Sequence, residues 1–97
     1  MSRPDRPLRL LAYTDTAMIG GAERSLATLL TELDGLHRTV VSVDPEVSAW
    51  FSAQCPDVHV ELVAPIAGKR DLRPIREHLS TFRRLRPDVA HINLQWL

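Results

Sequence analysis

Two adjacent glycines, Gly20 and Gly21, begin the stretch of this chain whose residue types could do chemistry, Gly-Gly-Ala-Glu. Glycine lets backbone N–H groups approach a ligand closely, and the first turn of a helix presents unpaired N–H donors at the positive end of the helix dipole. An apolar run over residues 8–14 predicts a strand before the pair, and apolar spacing over residues 21–34 predicts a helix after it. Together, a strand, a glycine loop and a helix start predict an anion site, for which a phosphate or diphosphate is the natural ligand.

Three polar residues extend this predicted site along the first turn of the helix: Glu23, Arg24 and Ser25. Arg24 and Ser25 could donate hydrogen bonds to a phosphate, or could be solvated residues on the outer face of the helix. Glu23 would oppose an anion if it pointed at one, whereas a carboxylate in the first turn is favourable for the helix dipole. We therefore expect Glu23 to act on the helix start.

The elements that must position this loop follow from the alternation of apolar runs along the chain. A β-branched, apolar run over residues 37–43 is typical of a strand buried on both faces, and Asp44-Pro45 ends it. Next come a predicted helix at residues 45–54, which begins at a proline, and a predicted strand at residues 58–63. A loop at residues 64–70 leads to a helix at residues 72–86, which Asp71 could cap, and the last predicted strand covers residues 89–94. Short right-handed crossovers in this β-α-β-α-β-α-β order predict an α/β fold with a Rossmann-like parallel sheet and helices on both faces.

The last predicted helix has an apolar stripe and an opposite basic face. The stripe, at helical spacing, consists of Leu72, Ile75, Leu79, Phe82 and Leu85. The basic residues are Arg73, Arg76, Arg83, Arg84 and Arg86. We expect this face to be solvated, with contact to an anionic membrane surface as the alternative.

The final strand is followed by only three residues, so its apolar side chains would lack the helix that normally covers a parallel sheet. These side chains are Val89, Ile92, Leu94 and Trp96. We therefore interpret residues 8–97 as a fragment of a longer α/β domain.

Composition limits the classes of function. The chain has 97 residues, 44% of them apolar, which suits one small domain or part of a larger one, and residues 1–7 are predicted to be disordered. Because the charges of twelve basic and twelve acidic residues cancel, we expect no nucleic-acid partner.

A single cysteine, Cys55, and four scattered histidines predict neither a disulfide framework nor a metal site. With no signal peptide or membrane span in the pattern, we expect a cytoplasmic location.

Three motifs resemble the N-terminal domain of family 4 glycosyltransferases, over most of the chain. They are Tyr-Thr-Asp at residues 13–15, Gly-Gly-Ala-Glu-Arg-Ser at residues 20–25 and Arg-Pro-Asp-Val-Ala-His at residues 86–91. This resemblance implies the GT-B fold, in which two Rossmann-like domains face each other and a sugar passes from a nucleotide-sugar donor to a sugar or lipid-linked acceptor, usually with retention of configuration. Residues 8–97 would then form about half of the first domain, and the C-terminal domain would be missing.

The same resemblance implies roles for residues at two strand ends. In the family, backbone N–H groups of the loop holding Gly20 and Gly21 meet the phosphates of the donor or the acceptor in the cleft between the domains. Many members carry His-x-His at the end of the fourth strand, with the second histidine at the reaction centre, whereas this chain has His91-Ile92-Asn93. Asn93 could hydrogen-bond a sugar hydroxyl but cannot exchange protons, so no catalytic residue is assigned. Because open parallel sheets bind ligands at the carboxyl ends of their strands, His91 is a candidate for substrate binding together with Asn93. For His91, a hydrogen-bonded histidine in or under the sheet is the alternative interpretation.

The resemblance also predicts what this segment lacks. In the family, most of the nucleotide-sugar site lies in the C-terminal domain, including two glutamates spaced E-x7-E, and this chain has no such pair. We expect no cofactor, and no sugar transfer by residues 1–97 alone. If the parent acts on a lipid-linked acceptor, peripheral contact with the inner face of a membrane is expected.

Two other classes of function stay open. A dinucleotide-binding oxidoreductase would also begin with a strand, a glycine turn and a helix, and Asp44 lies where an acid often holds an adenosine ribose. Its motif requires Gly-x-Gly-x-x-Gly directly after the strand, but here residues 15–19 intervene before two adjacent glycines. A non-catalytic module or remnant that binds a sugar or nucleotide is the third interpretation.

Overall fold

A computed structural model describes residues 7–66 and 72–94 of the chain. These residues form strands and helices in strict alternation, as the sequence predicts. The strands are β1 (Arg9–Thr14), β2 (His37–Ser42), β3 (His59–Leu62) and β4 (Val89–Asn93), and the helices are α1 (Gly21–Glu32), α2 (Pro45–Gln54) and α3 (Leu72–Leu85). Four sequence-based expectations concern residues that lie wholly or mostly outside this part of the chain. They are the disorder at residues 1–7, of which only Pro7 is described, the cap Asp71, most of the loop at residues 64–70, and Trp96.

The four strands form one sheet in the order β3-β2-β1-β4, and every neighbouring pair is parallel. After β3 the chain therefore returns past β1 and adds β4 on its other side. In open parallel sheets, such a reversal leaves a crevice at the carboxyl ends of the two strands, where ligands bind. The predicted Rossmann-like α/β fold is confirmed, and the reversal places the ends of β1 and β4 side by side.

Helices cover both faces of the sheet, as predicted. One core cluster joins the strands to α1 and α2 and contains Ala12, Leu26, Ala27, Leu30, Val40, Val47, Phe51, Cys55 and Val58. On the opposite face, Leu11, Tyr13, Val41 and Val63 form a second cluster, against which Phe82 and Leu85 of α3 pack. Apolar residues from alternate positions of the same strands thus fill two separate cores.

The apolar stripe predicted for α3 is partly wrong. Phe82 and Leu85 do pack on the sheet, but Leu72 and Leu79 are 56% and 50% exposed. Instead, Pro74, His78 and Thr81 are buried. The physical reason is that both ring nitrogens of His78 are hydrogen-bonded, so this polar side chain can occupy the core face that the stripe assigned to Leu79.

Strand β4 lies at the edge of the described sheet. Its apolar residues Val89 and Ile92, and Leu94 just after it, are about half exposed, at 52%, 51% and 50%. The expected lack of cover is thereby confirmed for these three residues.

Candidate functional site

The candidate site lies at the carboxyl ends of β1 and β4, where the order of the sheet reverses. Thr14, the last residue of β1, is in register with Asn93, the last residue of β4. Beyond them, Asp15 N–H donates to the carbonyl oxygen of Asn93 at 3.4 Å. The loop from β1 then leads to Gly20 and Gly21 at the start of α1, so two of the predicted segments meet here.

Glu23 joins these two segments. Its side chain is 0% exposed, its Oε1 accepts a hydrogen bond from Gly20 N–H at 2.8 Å, and its Oε2 accepts one from Asn93 Nδ2 at 2.8 Å. Gly20 is the N-cap of α1, so the first of these bonds is the half of a capping box that a glycine cap allows. The geometry agrees with the helix-start role expected for Glu23 and adds a bond to β4 that the sequence did not indicate.

The partner of Asn93 fixes which way its amide points. A carboxylate only accepts hydrogen bonds, so Asn93 must present its NH2 group to Glu23. Its carbonyl oxygen, Oδ1, is then oriented away from Glu23 and can accept from the hydroxyl of a ligand. A hydroxyl-binding role for Asn93 therefore remains geometrically open while its amino group holds the loop.

The loop itself offers backbone donors. The first i to i−4 bond of α1 runs from Arg24 N–H to the carbonyl of Gly20 at 3.1 Å, so the N–H groups of Gly21, Ala22 and Glu23 precede the helical ladder. A Cβ added at Gly21 would meet no atom within 4 Å. Space is therefore open beside these donors, and a side chain at residue 21 would occupy it.

Charge at the helix start is already partly balanced. The buried carboxylate of Glu23 lies beside the positive end of the α1 dipole, where an anionic ligand would otherwise sit. This loop is therefore better suited to hydrogen-bond a phosphate oxygen or hydroxyl than to neutralise a phosphate by itself.

Arg24 and Ser25 are both exposed on α1, next to the loop. Their positions are compatible with either of the roles expected for them, donation to a ligand or solvation. His91 is a residue of the sheet, in register with Ala12 of β1. Its side chain is exposed rather than under the sheet, because no described helix covers the outer part of the edge strand β4. His91 shares a face of β4 with Asn93, about 7 Å away along the strand.

Two threonines shape the loop between β1 and α1, although the sequence pattern had not singled them out. Thr14 and Thr16 are buried, and Thr16 N–H donates to Thr14 Oγ1 at 3.4 Å. Thr16 Oγ1 donates to the Met18 carbonyl at 2.8 Å and accepts from Met18 N–H at 3.1 Å. Hydroxyl residues spaced i, i+2 after a strand are known turn formers, so the Thr-x-Thr spacing was the available indication.

A second missed feature is the contact between Tyr13 and His78 beneath the site. His78 Nδ1 lies 2.7 Å from the Pro74 carbonyl, which can only accept, so Nδ1 carries a proton, and the other ring nitrogen, Nε2, is hydrogen-bonded to Tyr13 OH at 2.9 Å. Burial, and secondarily the charge of Asp15, raises the pKa of Tyr13 above its ordinary value. The pair ties the end of β1 to α3 and keeps the site's supporting strand in place.

Asp44 has a structural role at the start of α2. Its Oδ2 accepts from Glu46 N–H at 3.0 Å and from Val47 N–H at 3.1 Å, and Pro45 takes the first helical position. Asp44 is thus the N-cap of α2, a role that explains an acid at this position without a ribose. Within residues 7–66 and 72–94, no three His, Cys, Asp or Glu side chains are grouped as a metal site would require.

Comparison with known proteins adds no assignment. No family model, curated protein or solved structure matches this chain. Among the described helices, none has the length and apolar character needed to cross a bilayer. The resemblance to family 4 glycosyltransferases therefore stays a prediction that rests on the three sequence motifs.

Proposed function

We propose that this chain is the acceptor-side segment of a glycosyltransferase, which moves a sugar from a nucleotide-sugar donor to an acceptor hydroxyl. One observation carries the proposal. The two segments that the resemblance assigns to the cleft, the Gly20-Gly21 loop and the end of β4, are held together at the reversal of the sheet by the buried Glu23. A ligand crevice is expected at such a reversal.

In this proposal each group has a role that follows from its chemistry. The N–H groups of Gly21 and Ala22 hydrogen-bond a phosphate oxygen of the donor, and Asn93 Oδ1 accepts from a sugar hydroxyl. Transfer breaks the bond between the anomeric carbon and the diphosphate oxygen and forms a bond from that carbon to the acceptor oxygen, and the acceptor's proton passes to the departing diphosphate, which leaves with the electron pair of the broken bond. Because Glu23 already balances the helix start, most of the diphosphate charge would be neutralised by the second domain of a GT-B protein.

Binding calorimetry with a matched pair of glycine variants tests this proposal. Gly21 and Gly35 both have open space where a Cβ would be added. Gly35, however, lies in the turn between α1 and β2, at the amino ends of the strands and so at the other end of the sheet from the candidate site. We expect a nucleoside diphosphate to bind the full chain weakly, and Gly21→Val to weaken that binding about five-fold or more, which corresponds to about 1 kcal/mol. Gly35→Val should leave it unchanged.

The alternatives give different results in the same experiment. Preferential binding of NAD(H) would favour the oxidoreductase interpretation and contradict ours. Binding of a nucleotide that Gly21→Val does not weaken would place the ligand elsewhere. A remnant that binds a free sugar, with no response to nucleotides, would be a non-catalytic module.

We also propose that α3 makes peripheral contact with an anionic membrane, as a lipid-linked acceptor would require. Support comes from Leu72 and Leu79, which are exposed on a helix whose exposed residues also include Arg76 and Arg83. Apolar side chains among arginines are the pattern of an interfacial helix. In sedimentation with vesicles, Leu79→Ser should reduce binding to phosphatidylglycerol-containing vesicles, and Leu62→Ser, at an equally exposed leucine on β3, should not. Equal binding of both variants would contradict the contact.

A further inference from the structure

A groove of about 470 Å³ runs between α1 and α2, on the side of these helices away from the sheet. Its start adjoins the candidate site, because Arg24 lines it and lies one helical turn after Gly20. The side chains that matter for its chemistry are those of Arg24, Thr28, Thr31, Glu32, Trp50 and Gln54.

Trp50 gives the groove an aromatic wall. It is half-buried, packs against the core cluster beneath α1 and α2, and meets the Phe51 ring edge to face, with ring centroids 4.9 Å apart and an interplanar angle of 85°. Packing therefore fixes one side of the indole, while the remaining surface lines the groove. A rigid, partly exposed indole is a surface on which the C–H face of a pyranose ring can stack.

Polar groups around the indole offer both donors and acceptors. Thr28 Oγ1 donates to the Arg24 carbonyl at 3.1 Å, and Thr31 Oγ1 donates to the Ala27 carbonyl at 2.9 Å. Because these hydroxyl protons are used by the helix, both oxygens are acceptors. Thr31 Oγ1 also lies 3.7 Å from the Sγ of the buried Cys55, so Thr28 Oγ1 is the better placed of the two to accept from a ligand. Acceptors of this kind suit the O–H groups of a sugar.

Charge in the groove selects the class of ligand further. Glu32 adds acceptors at one end, while Arg24 at the other end and the Gln54 amide supply donors. The charges of Arg24 and Glu32 cancel, so the groove has no net charge to attract a phosphate or a polyanion. A neutral ligand rich in hydroxyls matches this arrangement best.

From these contacts we propose that the groove between α1 and α2 is a binding site for a neutral oligosaccharide of about two pyranose rings. Arg24 and Thr31 are seven residues apart, which on an α-helix is about 10 Å, the length of a disaccharide. The indole of Trp50 stacks on one ring, and the hydrogen-bonding groups hold the hydroxyls. That the oligosaccharide is the outer part of an acceptor rests on the proposed function, whereas sugar binding itself does not.

Ligand-observed NMR and calorimetry of the full chain test this site with maltose, cellobiose, lactose and glucose as probes. We expect at least one disaccharide to bind with a dissociation constant in the millimolar range, about five-fold or more tighter than glucose. Gln54→Ala and Glu32→Ala, at exposed positions that folding does not need, should each weaken that binding about three-fold or more. Ser52→Ala, at an exposed position of α2 outside the groove lining, is the control and should bind as the unmodified chain does.

The result that would overturn the site is a lack of saturable binding for all three disaccharides, or binding that neither groove variant weakens. Trp50→Ala should abolish binding, and far-UV circular dichroism identifies a loss of fold in that variant. Failure of the proposed function is distinguishable, because it would appear as an unchanged nucleotide affinity in Gly21→Val while disaccharide binding persisted.

Discussion

Replacement of Glu23 by alanine is expected to lower the free energy of unfolding by about 3 kcal/mol. The side chain is 0% exposed and accepts two hydrogen bonds, from Gly20 N–H and Asn93 Nδ2, both at 2.8 Å. Hydrogen bonds to a charged group contribute about 1.5–3 kcal/mol each, and the alanine variant leaves both donors unpaired. Removal of the carboxylate also removes the cost of its burial, so we expect a net loss at the lower end of the summed contribution, about 3 kcal/mol.

Glutamine at residue 23 should cost much less, about 1 kcal/mol. Its amide oxygen can still accept from Gly20 N–H, and its NH2 group can donate to Asn93 if the Asn93 amide turns over to present Oδ1. Glu23→Gln therefore separates the contribution of the two hydrogen bonds from the contribution of the negative charge.

Urea denaturation followed by far-UV circular dichroism measures these differences. With slopes of about 1–2 kcal/mol per molar urea, a loss of about 3 kcal/mol lowers the midpoint by about 1.5–3 M. A double-mutant cycle of Glu23→Ala with Asn93→Ala should give a coupling energy of about 1 kcal/mol or more. As a control, Glu32→Ala, at an exposed position of the same helix, should change stability by no more than about 0.5 kcal/mol. A Glu23→Ala cost below about 1 kcal/mol, or coupling below about 0.5 kcal/mol, would refute the bridge between α1 and β4.

Two further predictions concern the face of the sheet that α3 covers. The hydrogen bond from Arg84 is the main cause that holds the pKa of Glu61 below its ordinary value, so its stabilisation is present at neutral pH and is lost as the pH falls through the lowered pKa. Glu61→Gln should therefore cost about 0.5 kcal/mol at pH 7 and progressively less as the pH falls below the ordinary range of a glutamate pKa in urea denaturation, and a cost that does not change with pH would contradict this origin. Tyr13→Phe leaves the buried His78 Nε2 without its partner and should cost about 1–2 kcal/mol. Because burial raises the pKa of Tyr13, the unfolded chain loses this proton first, and stability should fall above about pH 10 in the unmodified chain but less so in Tyr13→Phe.

The regular elements were predictable because each one repeats a local pattern. All seven helices and strands begin and end within two residues of their expected bounds. The largest difference is at α1, which ends at Glu32 rather than at residue 34. Parallel pairing and helices on both faces then followed from the alternation of strands with helices.

The side-chain contacts that build the candidate site were less predictable, because they join residues far apart in sequence. Glu23 and Asn93 were each identified from their own surroundings, but the bond between them spans 70 positions and depends on β4 pairing with β1. The burial of His78 could not be predicted for a related reason. Its burial depends on Tyr13 from another element, and it turns α3 so that Leu79 faces outward.

Backbone amide chemical shifts, recorded while the full chain is titrated with a nucleoside diphosphate and then with nucleotide sugars, test the central claim most directly. We predict saturable shifts at Gly20, Gly21, Ala22 and Asn93, at the carboxyl edge of the sheet, that Gly21→Val reduces and Gly35→Val does not. Shifts confined to other parts of the sheet, or a response to NAD(H) in place of the nucleotide sugars, would contradict a glycosyltransferase site at this edge.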